Sequence, residues 1–179
     1  MKCRLCSEGI LTPFAEGEIF SYSVNYYECS FCGYVQTETP YWLEEAYASP
    51  INPSDTGIMS RNLSNVGLVL ASLALINELK GKVVDYAGGY GFLVRLLRDK
   101  GINAFWADTY SENLVARGFE YSGGEASLVT AFEAFEHFVN PVEEMELLLA
   151  ISSNILLTTM LAPRPAPQPL DWWYYGLDH

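Results

Sequence analysis

A short apolar stretch that ends in an acid and opens into glycines is the clearest chemical feature of the chain. Residues 82–91 read Lys-Val-Val-Asp-Tyr-Ala-Gly-Gly-Tyr-Gly. They predict a strand and a glycine loop, and residues 92–100 predict a helix. Glycines let a ligand approach the backbone, and a helix N-terminus offers unpaired N–H groups. Asp108 follows the next predicted strand, 104–107, where it can accept hydrogen bonds from ribose hydroxyls. The pattern predicts a site for an adenosyl ligand.

Two adenosyl ligands differ in what they need from such a loop. A dinucleotide needs G-x-G-x-x-G to cradle its pyrophosphate, whereas residues 88–91 read Gly-Gly-Tyr-Gly. Asp85, just before the turn, would repel a pyrophosphate. S-adenosylmethionine has no phosphate and carries a cationic amine and a sulfonium, so the acid suits it. The residues favour S-adenosylmethionine over a dehydrogenase cofactor, and a plain strand-to-helix turn is the alternative without a ligand.

Four cysteines form a second constellation near the N-terminus. Two C-x-x-C pairs separated by one spacer are typical of a tetrahedral zinc site. Four thiolates close the coordination shell, so the predicted metal is structural. The spacer, residues 7–28, alternates apolar and polar residues as a small hairpin would. Two disulfides and a redox C-x-x-C are the alternatives. The predicted Zn²⁺ ligands are Cys3, Cys6, Cys29 and Cys32.

These motifs resemble those of class I S-adenosylmethionine-dependent methyltransferases. Residues 85–91 resemble their first motif, acid-x-Gly-x-Gly-x-Gly, with Ala87 where the first glycine is common. Residues 129–141 resemble their fourth motif, and residues 172–179 look like their aromatic segment. The closest resemblance is to members with an N-terminal four-cysteine zinc domain, some of which C-methylate nucleotide-linked sugars. The resemblance implies seven donor-binding residues: Asp85, Ala87, Gly88, Gly89, Gly91, Asp108 and Thr109.

Methyl transfer to a hydroxyl or a carbon acid needs a base. His137 in the fourth-motif stretch is the predicted base, and Glu136 can orient it or contact the donor. The alternative for His137 is a helix-start histidine bonded to the backbone. Trp172 and Trp173 can stack on a flat or sugar-like acceptor or pack against the domain. The predicted substrate-side residues are Tyr174, Tyr175 and His179.

Two function classes remain open. The first is a methyltransferase that acts on a small-molecule acceptor, such as a sugar or nucleotide-linked sugar. The second is a binding or scaffold protein that keeps the fold without turnover. Ala87 favours the second class, whereas Asp85, Asp108, Gly89 and Gly91 favour the first.

Strands and helices alternate along the rest of the chain. Strands are predicted at 82–85, 104–107, 119–121, 128–132 and 154–160, with a capped turn at 111–114. Helices are predicted at 60–80, ending at Gly81, at 92–100 and at 141–150. The alternation predicts an α/β fold with a Rossmann-like, doubly wound, mostly parallel sheet and ligands at the carboxyl ends of its strands.

We expect three segments: a zinc-ribbon-like domain at 1–36, a linker at 37–56 with a short helix, and the S-adenosylmethionine-binding core at 57–179. The linker carries three prolines, at 40, 50 and 53. The resemblance implies seven strands, and about five can be placed. Either the chain is a fragment or the fold has lost its sheet edge. Because an exposed apolar sheet edge promotes aggregation, we expect a C-terminally incomplete core that lacks its last strands.

Composition limits the partners. The 179 residues are 50% hydrophobic and carry a net charge of −12. Such a charge argues against a nucleic-acid surface, because phosphate contacts need clustered basic residues. No signal peptide is visible, and the apolar stretches at 66–79 and 147–162 fall short of the roughly 20 residues needed to cross a bilayer. We expect a cytoplasmic protein with no membrane contact, and the sequence leaves its oligomeric state open.

Overall fold

The computed structural model describes residues 1–19, 21–46, 56–168, 171–172 and 174–175. The chain forms two compact units. The first, which we call the ribbon unit, comprises Met1–Ala48, Glu136–Glu144 and Met160–His179. The second, the sheet unit, comprises Ser49–Phe135 and Met145–Thr159. Both units combine segments that are separated in the chain, whereas the predicted divisions at residues 36 and 56 concern continuous segments and stay predictions.

An antiparallel sheet forms the ribbon unit. β1 (Leu11–Ile19) pairs with β2 (Tyr22–Cys29), and β2 pairs with β3 (Val35–Thr37). The hairpin predicted between the cysteine pairs is confirmed. A short helix, α1 (Leu43–Ala46), follows, and its neighbour Trp42 packs with Val24 and Tyr26 in a small core. Among the described residues, this core has three buried side chains, with partly buried neighbours such as Phe14 and Val35, so it is small for a stable sheet.

A four-stranded parallel sheet forms the sheet unit. Its strands are β4 (Lys82–Tyr86), β5 (Asn103–Ala107), β6 (Leu128–Phe132) and β7 (Ile155–Thr158), in the order β5-β4-β6-β7. The predicted α/β fold with a parallel sheet and a small N-terminal β domain is confirmed. β6 has the bounds that its run of apolar residues predicts, because a fully buried strand reads as a continuous apolar run.

Helices precede and connect these strands. They are α2 (Ile58–Leu75), α3 (Phe92–Asp99) and α4 (Pro141–Ile151), with a 3₁₀ turn at Phe135–His137. α2 and α3 pack against β4, β5 and β6 in the main core. Its buried side chains include Val66, Val69, Leu73, Val83, Val94, Leu97, Ala104 and Leu128.

The end of α2 differs from the prediction. The helix ends at Leu75 instead of Lys80, because Asn77 takes a left-handed φ of 58°. The N–H of Glu78 then donates to the Leu73 carbonyl at 2.8 Å, and the Asn77 N–H to the Ala74 carbonyl at 3.2 Å. This bond pair is a Schellman cap, which asparagine supports nearly as well as glycine. Gly81 is not the capping residue. It is required by packing instead, since a Cβ there would lie 2.2 Å from the Ser127 Oγ.

Two further predictions for residues 109–127 are corrected. The turn predicted at 111–114 is not helical. The Asn113 side chain there accepts from the Ala116 N–H at 2.9 Å and so competes with helical backbone bonding. The strand predicted at 119–121 is a single parallel bridge between Trp106 and Glu120. The sheet unit therefore has four strands in the described residues instead of five.

α2 also bears on the membrane prediction. Its 18 residues have a mean hydropathy of 1.3, and 17% of them are buried, so by length and composition it could cross a bilayer. A core helix of a soluble protein meets the same criterion, and α2 contributes Val66, Val69 and Leu73 to the main core. The expected absence of membrane contact stays a prediction.

Candidate functional site

The four cysteine sulfurs of the ribbon unit converge. They all lie within 4.8 Å of one another, and none is in a disulfide. The Sγ atoms of Cys3 and Cys32 are 3.7 Å apart, and those of Cys6 and Cys29 are 3.6 Å apart. A tetrahedral site with Zn–S bonds of about 2.3 Å requires sulfurs about 3.8 Å apart. The residues present therefore fit a zinc ion, and their closed shell leaves no position for substrate.

The local backbone shapes this cluster. Each pair is followed by a left-handed residue, Ser7 with φ 59° and Gly33 with φ 72°, so the chain turns sharply after each pair. Gly9 was missed by the sequence analysis. A Cβ on Gly9 would lie 2.2 Å from the Cys29 Sγ. Only a glycine therefore fits beside the cluster at this position.

Hydrogen bonds from backbone N–H groups lower the pKa of two of the cysteine thiols. Those of Glu8 and Gly9 lower the pKa of Cys6, and those of Cys32 and Phe31 lower the pKa of Cys29 to about 6. Burial raises the pKa of Cys32 to about 12. Because a bound cation stabilises thiolates, a metal would favour deprotonation of Cys32 despite its burial.

Glu136 and Tyr174 are hydrogen-bonded to each other in the ribbon unit, through the tyrosine hydroxyl and Oε1. The Tyr174 hydroxyl also accepts from the Met160 N–H at 3.2 Å. Glu136 is thus held by a residue that the sequence predicts on the substrate side. His137 lies next to it at the end of the 3₁₀ turn. His179 and Trp173 lie outside the described residues.

Three side-chain polar atoms of the ribbon unit are buried without a hydrogen-bond partner among the described residues. They are the Oε2 of Glu136 and the hydroxyls of Tyr26 and Tyr175. The rings of Tyr26 and Tyr175 lie 5.4 Å apart, and Trp172 lies 5.1 Å from Tyr175. Burial, then the neighbouring Tyr175 and Glu38, raises the pKa of Tyr26 to about 12. Buried polar atoms without partners are costly, because each one loses the hydrogen bonds that water supplies.

The glycine loop of the sheet unit turns through three left-handed residues. Ala87 has φ 55°, Gly89 has φ 53°, and Gly91, the N-cap of α3, has φ 88°. Glycine adopts this conformation freely, whereas a side chain costs about 1–2 kcal/mol there. Ala87 therefore carries strain at the position where related motifs have their first glycine.

The glycines of the loop differ in how closely other atoms approach them. A Cβ on Gly88 would lie 2.8 Å from the Asp85 Oδ2, and one on Gly91 would lie 2.8 Å from the Asn113 Oδ1. Both glycines are therefore required by packing. A Cβ on Gly89 would meet nothing within 4 Å. The backbone of Gly89 thus borders open space, where a ligand can approach.

Asp108 closes the loop onto the end of β5. Its Oδ2 accepts from the Gly89 N–H at 2.9 Å, and its Oδ1 accepts from the Tyr110 and Ser111 N–H groups at 2.8 Å each. Trp106, which the sequence analysis missed, donates its indole N–H to the Gly89 carbonyl at 2.7 Å. The loop is therefore fixed from both sides of Gly89. Thr109 is exposed beside it.

Asp85 lies beneath the loop. Its side chain is buried, and its Oδ1 accepts from the Thr130 hydroxyl at 2.7 Å. Burial, and less strongly the charge of Asp108, raises the pKa of Asp85 to about 7, although the hydrogen bond from Thr130 opposes the shift. The carboxylate therefore connects β4 to β6, and its predicted contact with a donor stays a prediction.

An open cleft of about 230 Å³ lies in the sheet unit near the ends of β6 and β7. Glu133, just after β6, has a left-handed φ of 49°, and its N–H donates to the Thr158 carbonyl at 2.9 Å. Strained non-glycine residues concentrate at functional sites, which makes Glu133 a candidate that a sequence pattern does not reveal. The cleft is lined by Ser60, Arg61, Ser64, Asn65, Glu133 and Thr158.

The comparison with protein families decides the identity of this fold. A model described as a methyltransferase domain matches residues 59–179. The chain belongs to the methyltransferase domain family. No curated protein matches it. The matched range includes the glycine loop, Asp108 and Glu136, whereas the cysteine pairs precede it. The matched methyltransferase domain thus contains the sheet unit's glycine loop, and the cysteine cluster lies outside it.

Gly9 provides a test of the metal site. Gly9→Ala should weaken Zn²⁺ binding about 10- to 100-fold, the range for residues that orient metal ligands, because its Cβ would collide with the Cys29 Sγ. Gly67→Ala is the control, since a Cβ at Gly67 meets nothing within 4 Å. Competition with a chromophoric chelator measures both affinities. Equal affinities for Gly9→Ala and the natural protein would contradict the assignment.

The raised pKa of Asp85 predicts that the free energy of unfolding depends on pH. Its pKa of about 7 in the folded state lies above the value of about 3.9 in an unfolded chain. The folded state therefore holds the proton more tightly. The stability that this provides is complete below about pH 4 and is lost as the pH rises through 7.

Asp85→Asn should remove this contribution and flatten the fall in the free energy of unfolding between about pH 4 and 7, by an amount on the order of 4 kcal/mol. Asp99→Asn is the control, because the Asp99 side chain is 57% exposed. Urea denaturation at several pH values measures the effect. Parallel pH profiles of the free energy of unfolding for the natural protein and Asp85→Asn would contradict the prediction.

Proposed function

We propose that the protein transfers a methyl group from S-adenosylmethionine to a small-molecule acceptor. The observation that carries this proposal is the loop after β4, where Gly89 borders open space and Asp108 is held against its N–H. Membership of the methyltransferase domain family supports the reaction type. A dinucleotide fits less well, because residues 88–91 lack the glycine pattern for a pyrophosphate.

The donor supplies a methyl group on a sulfonium, and the sulfur keeps the electron pair of the S–CH₃ bond when the acceptor takes the methyl. The protein must bind and align both molecules. We assign Asp108 to a ribose hydroxyl of the donor. A carboxylate accepts about four hydrogen bonds, and three on Asp108 come from backbone N–H groups. One acceptor position is left for the ligand.

We further propose that the acceptor is rich in hydroxyl groups, as a sugar or nucleotide-linked sugar is. The support lies in the ribbon unit, where the Glu136 Oε2 and the Tyr26 and Tyr175 hydroxyls are buried without partners among the described residues. Such atoms suit hydroxyls, which both donate and accept. The aromatic faces of Trp172 and Tyr175 suit the apolar C–H faces of a sugar ring.

His137 is the proposed base, and Glu136 its neighbour. A neutral imidazole takes a proton readily near pH 7. The proton would leave the attacking atom of the acceptor as that atom bonds to the methyl carbon. The proposed zinc ion takes no part in these steps.

A binding protein without turnover is the second candidate. Ala87 favours it, since this residue holds a left-handed backbone at the cost of strain in the donor loop. Titration calorimetry with S-adenosylhomocysteine, and with NAD as the comparison ligand, tests donor recognition in both candidates. Methyl transfer to any acceptor would exclude the second.

Asp108 provides the first functional prediction. Asp108→Ala should weaken S-adenosylhomocysteine binding roughly 10- to 150-fold, since a hydrogen bond to a charged group is worth about 1.5–3 kcal/mol. Asp99→Ala is a matched control, because Asp99 is an exposed acid that pairs with Arg95 on α3. Calorimetry measures both dissociation constants. An unchanged constant for Asp108→Ala would remove Asp108 from the donor site.

His137 provides the second. His137→Ala should lower turnover by about 10²–10⁴-fold, the range for loss of acid–base help. S-adenosylhomocysteine affinity should stay nearly unchanged, because the donor is assigned to the glycine loop and Asp108. Turnover and affinity are measured on the same variant. Loss of both together would indicate a structural role, and full turnover would assign the base elsewhere.

A further inference from the structure

Arg4 lies between the first two cysteines and binds chain segments from elsewhere in the ribbon unit. Its backbone N–H donates to the Gln36 Oε1 at 2.8 Å. In the guanidinium, Nη2 donates to the Thr37 carbonyl at 2.6 Å and Nη1 to the Val139 carbonyl at 3.4 Å. Gln36 and Thr37 are buried. Arg4 is therefore built into the unit instead of being a solvated basic residue.

The contact with Val139 connects the cysteine cluster to the segment that carries the candidate catalytic residues. Val139 lies two positions after His137 in the range Glu136–Glu144, which belongs to the ribbon unit. The planar guanidinium binds two carbonyls in fixed directions, whereas the ammonium group of a lysine lacks this rigid fork. The side chain thus joins the end of β3 and the 136–144 segment to one metal-ligand turn.

The second cysteine pair makes a parallel connection. Arg164 Nη2 donates to the Cys32 carbonyl at 3.2 Å, and a Cβ on Gly33 would lie 2.9 Å from the same nitrogen. Arg164 follows Met160, whose N–H binds the Tyr174 hydroxyl, and Tyr174 binds Glu136. Two chains of contacts therefore lead from the cysteines to the 136–144 segment.

We propose that Arg4 is a positioning residue that transmits metal occupancy to the 136–144 segment and so orients Glu136 and His137. Within the Cys3–Cys6 turn, the Ser7 N–H donates to the Cys3 carbonyl at 3.1 Å. Four metal–sulfur bonds would fix the turn, and with it the base of the Arg4 side chain. The catalytic role of the 136–144 segment rests on the proposed function, whereas the effect of Arg4 on the order of this segment does not.

Hydrogen exchange on the full-length, zinc-loaded protein tests this directly. Arg4→Ala should raise amide exchange in 136–144 about 10-fold or more, as expected for the loss of hydrogen bonds from a charged donor. Zinc content should stay the same, because Arg4 is not a ligand. Arg4→Lys should restore part of the protection. Lys2→Ala is the matched control, since Lys2 is an exposed cation on the other side of Cys3, and it should leave exchange unchanged.

A second measurement keeps the test decisive if Arg4→Ala folds poorly. In the natural protein, removal of zinc by a chelator should raise exchange in 136–144 while β4 of the sheet unit stays protected. Unchanged exchange in 136–144 after zinc removal, or in a folded Arg4→Ala variant, would overturn the proposal. So would equal increases throughout the ribbon unit, because Arg4 would then support the fold in general.

The turnover measurement separates this inference from the proposed function. For an active enzyme, Arg4→Ala should lower kcat while S-adenosylhomocysteine affinity stays unchanged. If S-adenosylhomocysteine does not bind the natural protein, the proposed function fails, and the exchange result still decides the role of Arg4.

Discussion

The reversal of strand order at β4 decides where the sheet unit can bind a ligand. From β4 the chain crosses through α3 to β5 on one side, whereas β6 pairs on the other side. The connections that leave β4 and β6 diverge at such a point, and a crevice opens at the carboxyl ends of the strands. Asp85, Asp108 and Glu133 all lie at or just after strand ends. Their placement follows from the topology.

The acids at these strand ends hold the structure together before they can hold a ligand. Asp85 receives a hydroxyl hydrogen bond from β6, and Asp108 receives three backbone N–H groups, one of them from Gly89. Backbone bonds of this kind fix the loop in advance, so little ordering remains to be done when a ligand binds. A site held in this way gains affinity from rigidity as well as from contacts.

Local patterns predicted the strands, the glycine loop and the cysteine cluster because each depends on neighbouring residues. An apolar run predicts β6, and thiolate spacing predicts a metal turn. The contacts that shape the site are not local. Trp106 binds Gly89, Asn113 packs against Gly91, and Gly9 makes room for Cys29. No spacing rule reveals such contacts, since the partners meet only after the chain has folded.

In the ribbon unit, local sequence patterns also fail to show which chain segments pack together. Residues 136–144 follow β6 in the chain, yet they belong to the unit that carries the cysteines. A continuous division assigns them to the core, and no local pattern indicates that Arg4 contacts Val139. A four-thiolate shell has no open coordination position, so a metal bound there could affect the proposed chemistry only through the residues that it holds in place. Among the described residues, Arg4 and Arg164 make those connections, and both lead to the segment of Glu136 and His137.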